Sequence, residues 1–86
     1  MLMIRVMDEA MDIGGRGVAL ILEADANPPP EGSRIQDARG NVHTVLQVWE
    51  QDGVQVMLVE GGDLAYFERL FRDVRVDATA FALAEE

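Results

Sequence analysis

The chain has 86 residues, of which 49% are hydrophobic, so it is long enough for one small domain and too apolar for a disordered chain. Sixteen acidic residues against seven arginines, with no lysine, give a net charge of −9, which disfavours nucleic acid partners because their binding depends on basic contacts with phosphates. The absence of cysteine excludes disulfides and thiolate metal sites, and no apolar run reaches the roughly 18 residues needed to cross a bilayer.

Two extended apolar segments joined by a glycine-rich turn form the first predicted hairpin. Residues 3–13 alternate irregularly, and we predict a β-bulge near residues 8 and 9 that shifts the register. Residues 18–23 are apolar on both faces, which is typical of a central strand covered on two sides. Between them, residues 14–17 supply three glycines that reach positive φ, so the chain can reverse tightly.

A proline-rich loop, a short strand and a second hairpin follow. Residues 26–32 contain three consecutive prolines, which cannot donate to a strand ladder, so this segment is predicted to be a loop. A short strand is predicted at residues 34–37. The clearest signal is Asp52-Gly53 between the apolar runs 42–50 and 54–60, which predicts a β-hairpin.

The last third of the chain predicts one short helix and one more strand. Residues 64–71 carry apolar side chains at helical spacing, and Asp63 is placed to act as the N-cap of a helix that closes one end of the fold. Residues 74–81 return to strand alternation, and the tail after them is expected to fray. Six or so short strands with turns every 8–12 residues predict a single all-β domain over residues 1–86, a small closed or nearly closed antiparallel β-barrel.

Alternation along the second hairpin predicts which side chains fill this barrel. The inward set is expected to comprise Val42, Leu46, Val56 and Leu58. The opposite faces then form an outer apolar band, expected to comprise Val45, Trp49, Met57 and Val59, extended by Met3, Met7 and Ile21. Because soluble monomers seldom expose large apolar patches, this band is a candidate protein-binding surface. The alternative is that the helical segment and the tail fold back over it.

No residue pattern points to a catalytic, cofactor or metal site. His43, the single histidine, alternates away from the predicted core, so we expect an exposed side chain without the nucleophile and orienting group that a general base needs. The acidic residues lack the glycine-spaced pattern of a calcium loop and are interpreted as a solvated surface. Arg16 either reaches a partner from its turn or hydrogen-bonds neighbouring carbonyls.

The first hairpin resembles that of the β-barrel that forms domain 2 of elongation factor Tu and related translational GTPases. In that family an acidic residue, an apolar residue and Ile precede a Gly-Arg-Gly turn, and these places are taken here by Glu9, Met11, Ile13 and residues 15–17. The similarity covers about residues 3–77. Two features depart from the family. Its basic residues after the second strand are replaced here by prolines, and its glycine after a Glu-Arg pair is replaced by Leu70, which follows Glu68-Arg69.

The outer band on a barrel of this resemblance leads to the prediction of an interaction module. We expect a non-enzymatic, stand-alone and cytoplasmic barrel, without cofactor or membrane partner, that binds a protein partner or itself through the outer band and Arg16. The chain has no G-x-x-x-x-G-K-[ST] motif, so it is not expected to bind GTP. In elongation factor Tu this domain helps to hold the aminoacyl end of tRNA, so a translation-related RNA-binding accessory is the alternative. That alternative requires arginines to converge on one face, for which Arg16, Arg34 and Arg39 are the candidates.

Overall fold

The computed structural model describes residues 3–24, 27–73 and 79–84. Their elements, in chain order, are β1 (Met3–Asp12), β2 (Val18–Leu22), β3 (Arg34–Gln36), β4 (Val42–Gln51), β5 (Val54–Glu60), α1 (Leu64–Asp73) and β6 (Ala80–Ala84). The six described strands form a closed antiparallel barrel in the order β1-β2-β5-β4-β3-β6. The predicted all-β class, the closed barrel and the one short helix are therefore confirmed.

The first hairpin has the predicted bulge and the predicted tight turn. The register between β1 and β2 shifts between Val6 and Ala10, which brackets the predicted position. At the turn, the backbone amide of Ile13 donates to the carbonyl of Gly17 at 3.1 Å. A Cβ atom on Gly17 would lie 2.5 Å from the carbonyl oxygen of Val59, so the absence of a side chain lets this turn lie directly against β5.

The β4–β5 hairpin is also confirmed, and its turn follows from its sequence. Asp52 and Gly53 both have positive φ, at 53° and 80°, which is the backbone of the two-residue turns whose twist matches paired strands. A second bulge lies between Val45 and Gln47 in β4. Beyond it the backbone amide of Val48 donates to the carboxylate of Glu31 at 2.9 Å, so the proline-rich loop supplies a partner at the bulge.

The predicted inward and outward faces of this hairpin are wrong at most positions. Val42 and Leu46 are exposed, whereas Val45, Met57 and Val59 are fully buried in the barrel core. The bulge after Val45 is one reason, because an extra residue reverses the alternation along β4. Both faces of β5 are also apolar, so its pattern does not distinguish inside from outside. Val56 and Leu58 are buried as expected, but on the face opposite the core residue Met57.

Helix α1 closes one end of the barrel. The Asp63 carboxylate accepts a hydrogen bond from the backbone amide of Tyr66 at 2.8 Å, which confirms the predicted N-cap. Phe67 and Leu70 are fully buried in the core, and the Phe67 ring lies 6.4 Å from that of Phe81 in β6. Because β1, β3 and β5 end on this side, we call it the α1 end and the other the β4–β5 turn end.

The final strand is placed later than predicted. The structure has β6 at Ala80–Ala84, where it pairs with β1 and β3 and so closes the barrel. Residues 74–78, which carry most of the predicted strand, and the tail residues 85 and 86 lie outside the described part of the chain. No helix among the described residues is long and apolar enough to span a membrane.

Candidate functional site

A buried polar cluster lies between the β3–β4 turn and α1, and we call it the Asp37 cluster (Asp37, His43, Tyr66 and Asn41). Asp37 directly follows β3, and its Oδ1 atom accepts hydrogen bonds from the backbone amides of Arg39, at 2.9 Å, and Asn41, at 3.0 Å. Aspartate favours this kind of turn because its short side chain can reach the amides that follow it. The turn sequence therefore positions the carboxylate.

The other carboxylate oxygen holds the two side chains that α1 and β4 contribute. Asp37 Oδ2 accepts hydrogen bonds from His43 Nε2 at 2.7 Å and from the Tyr66 hydroxyl at 2.5 Å. The side-chain amide of Asn41 in turn donates to the Tyr66 hydroxyl oxygen at 2.7 Å. Because an ionised carboxylate only accepts, His43 carries a proton on Nε2. Each carboxylate oxygen is thus satisfied by two donors.

These contacts shift two pKa values in opposite directions. Burial by itself raises the pKa of Asp37, but hydrogen bonds from Tyr66, His43 and the backbone amides of Asn41 and Arg39 outweigh it and hold that pKa below its ordinary value. Burial raises the pKa of Tyr66, and the hydrogen bond that its hydroxyl donates to Asp37 raises it further. The cluster therefore favours an ionised aspartate beside a neutral tyrosine.

The expectation that His43 is exposed is wrong. Only 1% of its surface is accessible, and its ring packs against Phe67 at 4.9 Å and Phe81 at 6.2 Å. The ring can be buried because Nε2 has a hydrogen-bond partner in Asp37. The other ring nitrogen, Nδ1, faces Gly61 and has no hydrogen-bond partner. An oriented Asp–His pair is the arrangement of a general base, but a substrate cannot reach this one. Its role in the described structure is to tie β3, β4 and α1 together.

The accessible candidate is an outer groove of about 710 Å³ along β1, β2 and the β4–β5 hairpin, which we call the methionine groove. Its apolar lining, which we call its floor, consists of Met7, Met11, Ile21, Leu22, Ala24, Val54 and Val56. Met7, Met11 and Val54 expose 48%, 47% and 40% of their surface, respectively. A groove of this size lies in the range of ligand-binding pockets in proteins.

Trp49 lies beside the methionine groove. It pairs with Val56 across the β4–β5 ladder, and Val56 pairs with Ile21 across the β5–β2 ladder, so the three side chains form a row on one face of the barrel wall. Trp49 is half-buried, and its indole nitrogen donates to the side chain of Gln51 at 3.4 Å. The single tryptophan of the chain therefore adjoins the groove.

The predicted outward orientation is right for four of the seven residues of the outer band and wrong for three. Trp49, Ile21, Met3 and Met7 lie on the outer surface or are half-buried there, as expected. Val45, Met57 and Val59 do not, because they fill the core instead. None of the residues that line the groove belongs to α1, so the described helix does not cover it.

Sequence reasoning misses two exposed groove residues, Met11 and Val54. Met11 completes a series in β1 in which every fourth residue, from Met3 through Met7, is an exposed methionine. This series is the signal that indicates an outward apolar face on β1. Val54 is missed because the predicted alternation of β5 puts it on the same face as the expected core residues Val56 and Leu58.

Three residues in the lining of the methionine groove are acidic, namely Glu23, Glu50 and Asp52, and we call these three its rim. None of the described lining residues is basic. Glu50 and Asp52 come from the β4–β5 turn end, and Glu23 directly follows β2. The groove therefore combines an apolar floor with negative charge in a molecule of net charge −9.

The three arginines that are candidates for RNA binding do not lie on one face of the barrel. Arg16 is exposed in the β1–β2 turn, and Arg39 is exposed in the β3–β4 turn, so both lie at the α1 end. Arg34 begins β3, which places it at the β4–β5 turn end. Arg39 also approaches Asp73 at 3.8 Å, which partly neutralises it. No basic face therefore unites these three residues.

Neither a metal site in the described structure nor a comparison with known proteins assigns a function. Within residues 3–24, 27–73 and 79–84, no group of three or more histidine, aspartate or glutamate side chains is placed to hold a metal ion. No family model, curated protein or solved structure matches this chain.

Proposed function

We propose that this chain is a non-enzymatic module that binds another protein through the methionine groove. The observation that carries the proposal is an apolar groove in which Met7, Met11 and Val54 are each about half exposed on a strongly acidic molecule. Exposed apolar patches of this kind on soluble proteins mark interaction surfaces. Methionine suits such a surface because its flexible, polarizable side chain adapts to the shape of a partner.

We further propose that the barrel is of the type found in domain 2 of elongation factor Tu. Two features support this proposal: the Gly-Arg-Gly turn between β1 and β2, and the contact of Gly17 with the backbone of Val59 in β5. A glycine at this point is needed for the first hairpin to pack on the barrel wall. The lack of cysteine supports a reducing, cytoplasmic location for such a module.

Binding is favoured over catalysis by the buried position of the oriented Asp37–His43 pair. Asp37 and His43 are enclosed by the barrel and α1, whereas the methionine groove is lined by other residues. The apolar floor of the groove offers neither a nucleophile nor an oriented base to a bound molecule. The groove can therefore bind a partner, and its chemistry supports no reaction.

The experiment that tests this proposal compares two valines with similar exposure, one inside the groove and one outside it. Val54 lies in the groove and is 40% exposed, whereas Val42 lies outside it and is 47% exposed. The wild-type chain, Val54→Gln and Val42→Gln are immobilised, and the proteins that each retains from native lysate are compared. Both substitutions should change stability by about 0.5 kcal/mol or less, because both sites are on the surface.

We expect Val54→Gln to lose a retained protein that the wild-type chain and Val42→Gln both keep. Equal retention by Val54→Gln and wild type, with both folded by circular dichroism, would overturn the assignment of binding to this groove. If Val42→Gln loses the same partner, the binding surface is not the groove.

A further inference from the structure

We infer that the methionine groove accepts a cationic amphipathic helix of its partner protein. This inference rests on the proposed function and specifies the chemistry of the partner. The apolar face of such a helix would lie on the methionine and valine side chains of the floor. Its basic residues would lie opposite Glu23, Glu50 and Asp52 on the rim. Charge complementarity is the main reason, since the described lining has three acidic residues and no basic one.

The closed barrel determines the conformation of the bound segment. Each of the six described strands pairs with two neighbours, so the barrel has no edge strand along which an extended peptide could pair over its whole length. Another common mode places one apolar helix face in a hydrophobic groove, and the exposed methionine and valine side chains suit it. Three exposed groove side chains, Met7, Met11 and Val54, are available for contact with such a face.

A second copy of this chain is a poorer occupant. It would carry the same net charge of −9 and the same acidic rim, so two grooves in contact would bring like charges together. Helix α1 of a second copy is also unsuitable, because its apolar residues Phe67 and Leu70 are already buried in its own core. A basic partner avoids both problems.

The test uses a synthetic helix probe and the fluorescence of Trp49. The probe is a peptide of about 18 leucine and lysine residues, spaced for one apolar and one basic helix face, with blocked ends. It contains no tryptophan, so all emission comes from Trp49, which adjoins Val56 in the groove. We expect a saturable shift of the emission at one peptide per chain, and affinity that falls as salt is added.

Two pairs of matched variants locate the binding. Val54→Gln should weaken binding of the probe by about tenfold, and Glu50→Gln/Asp52→Asn should do so by at least about tenfold with a smaller salt dependence. Asparagine at position 52 tolerates the positive φ of that turn residue. Val42→Gln and Glu60→Gln/Glu68→Gln carry the same chemical changes at exposed positions outside the groove, and both should bind like the wild-type chain.

The inference is overturned if the probe does not bind, or if it binds all variants equally, since equal binding would reflect only net charge. It is also overturned if a leucine–glutamate peptide of the same pattern binds as tightly as the leucine–lysine peptide. Failure of the probe, combined with a partner that Val54→Gln loses from lysate, would reject the cationic helix and leave the proposed function standing. Equal lysate retention by Val54→Gln and wild type would reject the proposed function itself.

Discussion

At the scale of single residues, Asp37 is the centre of the buried polar cluster. Its two oxygens accept four hydrogen bonds, from two backbone amides of its own turn and from His43 and Tyr66. The two side chains come from β4 and α1, so this one carboxylate links the turn after β3 to the next strand and to the helix. Buried carboxylates are tolerated when they are satisfied in this way, and they become costly when one partner is removed.

Substitution of Asp37 by alanine should therefore destabilise the fold strongly. The change leaves His43 Nε2, the Tyr66 hydroxyl and two backbone amides without their acceptor, and we expect a loss of about 3–5 kcal/mol in the free energy of unfolding. Urea denaturation followed by circular dichroism measures it. Glu60→Ala, which removes an exposed carboxylate, is the control and should cost about 0.5 kcal/mol or less. A similar loss for both variants would argue against the cluster.

The same cluster should limit stability at both ends of the pH range. Because the pKa of Asp37 is lowered in the folded state, its contribution is complete above the ordinary value of 3.8 and is lost as pH falls through the lower folded pKa. The pKa of Tyr66 is raised, so its contribution is complete below 10.0 and is lost as pH rises through the folded pKa.

Urea midpoints measured from about pH 2 to about pH 11 test both directions. Asp37→Asn should lose less stability than wild type as pH falls below about 3.8, and Tyr66→Phe should lose less as pH rises above about 10. Tyr66 is the only tyrosine, so its ionisation can also be followed directly by absorbance. Parallel acid profiles for Asp37→Asn and wild type would show that another group sets the acid limit.

At the scale of elements, the turn residues predict the structure correctly, whereas the alternation of apolar residues in β4 does not. Turn chemistry is read correctly, because Asp52-Gly53 and the glycines around Arg16 adopt backbone conformations that few other residues tolerate. The alternation of β4 is read incorrectly, because a single inserted residue between Val45 and Gln47 reverses which face points inward. A bulge of this kind is fixed by its surroundings, here the contact between Glu31 and the amide of Val48.

The packing of the first hairpin on β5 gives a prediction at this scale. Gly15 and Gly17 both have positive φ, but only Gly17 lies against another strand, where a Cβ would be 2.5 Å from the carbonyl oxygen of Val59. Gly15→Ala should cost about 1–2 kcal/mol from backbone strain alone. Gly17→Ala should cost about 1–3 kcal/mol more, because β1, β2 and β5 must also move apart.

Urea unfolding of the two glycine variants, measured side by side, makes the comparison. Gly15 is the matched control because no atom lies within 4 Å of its added Cβ. Equal losses for Gly15→Ala and Gly17→Ala would mean that the turn does not depend on close contact with β5.

At the scale of the whole molecule, charge and topology act together. The chain carries a net charge of −9 and folds into a closed barrel. The three arginines that were candidates for RNA binding are divided between the two ends of this barrel. These three arginines therefore offer an RNA backbone no shared basic face, and two copies of the chain would repel each other. Both effects favour a basic protein as the partner.

Two solution measurements follow from this arrangement. We expect no detectable binding of tRNA at about 0.1 M salt, where a chain of this charge cannot gain from counterion release. Sedimentation equilibrium at about 0.15 M salt should give the mass of one chain, 9.5 kDa. Saturable tRNA binding would favour the RNA-binding alternative, and a stable dimer would favour self-association instead of a separate protein partner.

The sequence by itself determined the fold class, the two hairpins, the first bulge and the capped helix. Each of these depends on residues close together in the chain, such as Asp63 and the amide of Tyr66 or the turn pair Asp52-Gly53. Local preference is enough to specify them, because the relevant interactions form within a few residues. The class of barrel followed from the number and spacing of such strands.

Tertiary structure alone decided which apolar face became the core and where the polar side chains went. Val45 and Met57 face inward, and Val54 faces the groove, because the second bulge and the pairing across β2, β5 and β4 fix the register. His43 is buried because Asp37 and Tyr66 approach it from other elements of the fold. The alternation within a single strand does not show such contacts between elements, whereas the spacing of Met3, Met7 and Met11 in β1 does indicate an exposed apolar face.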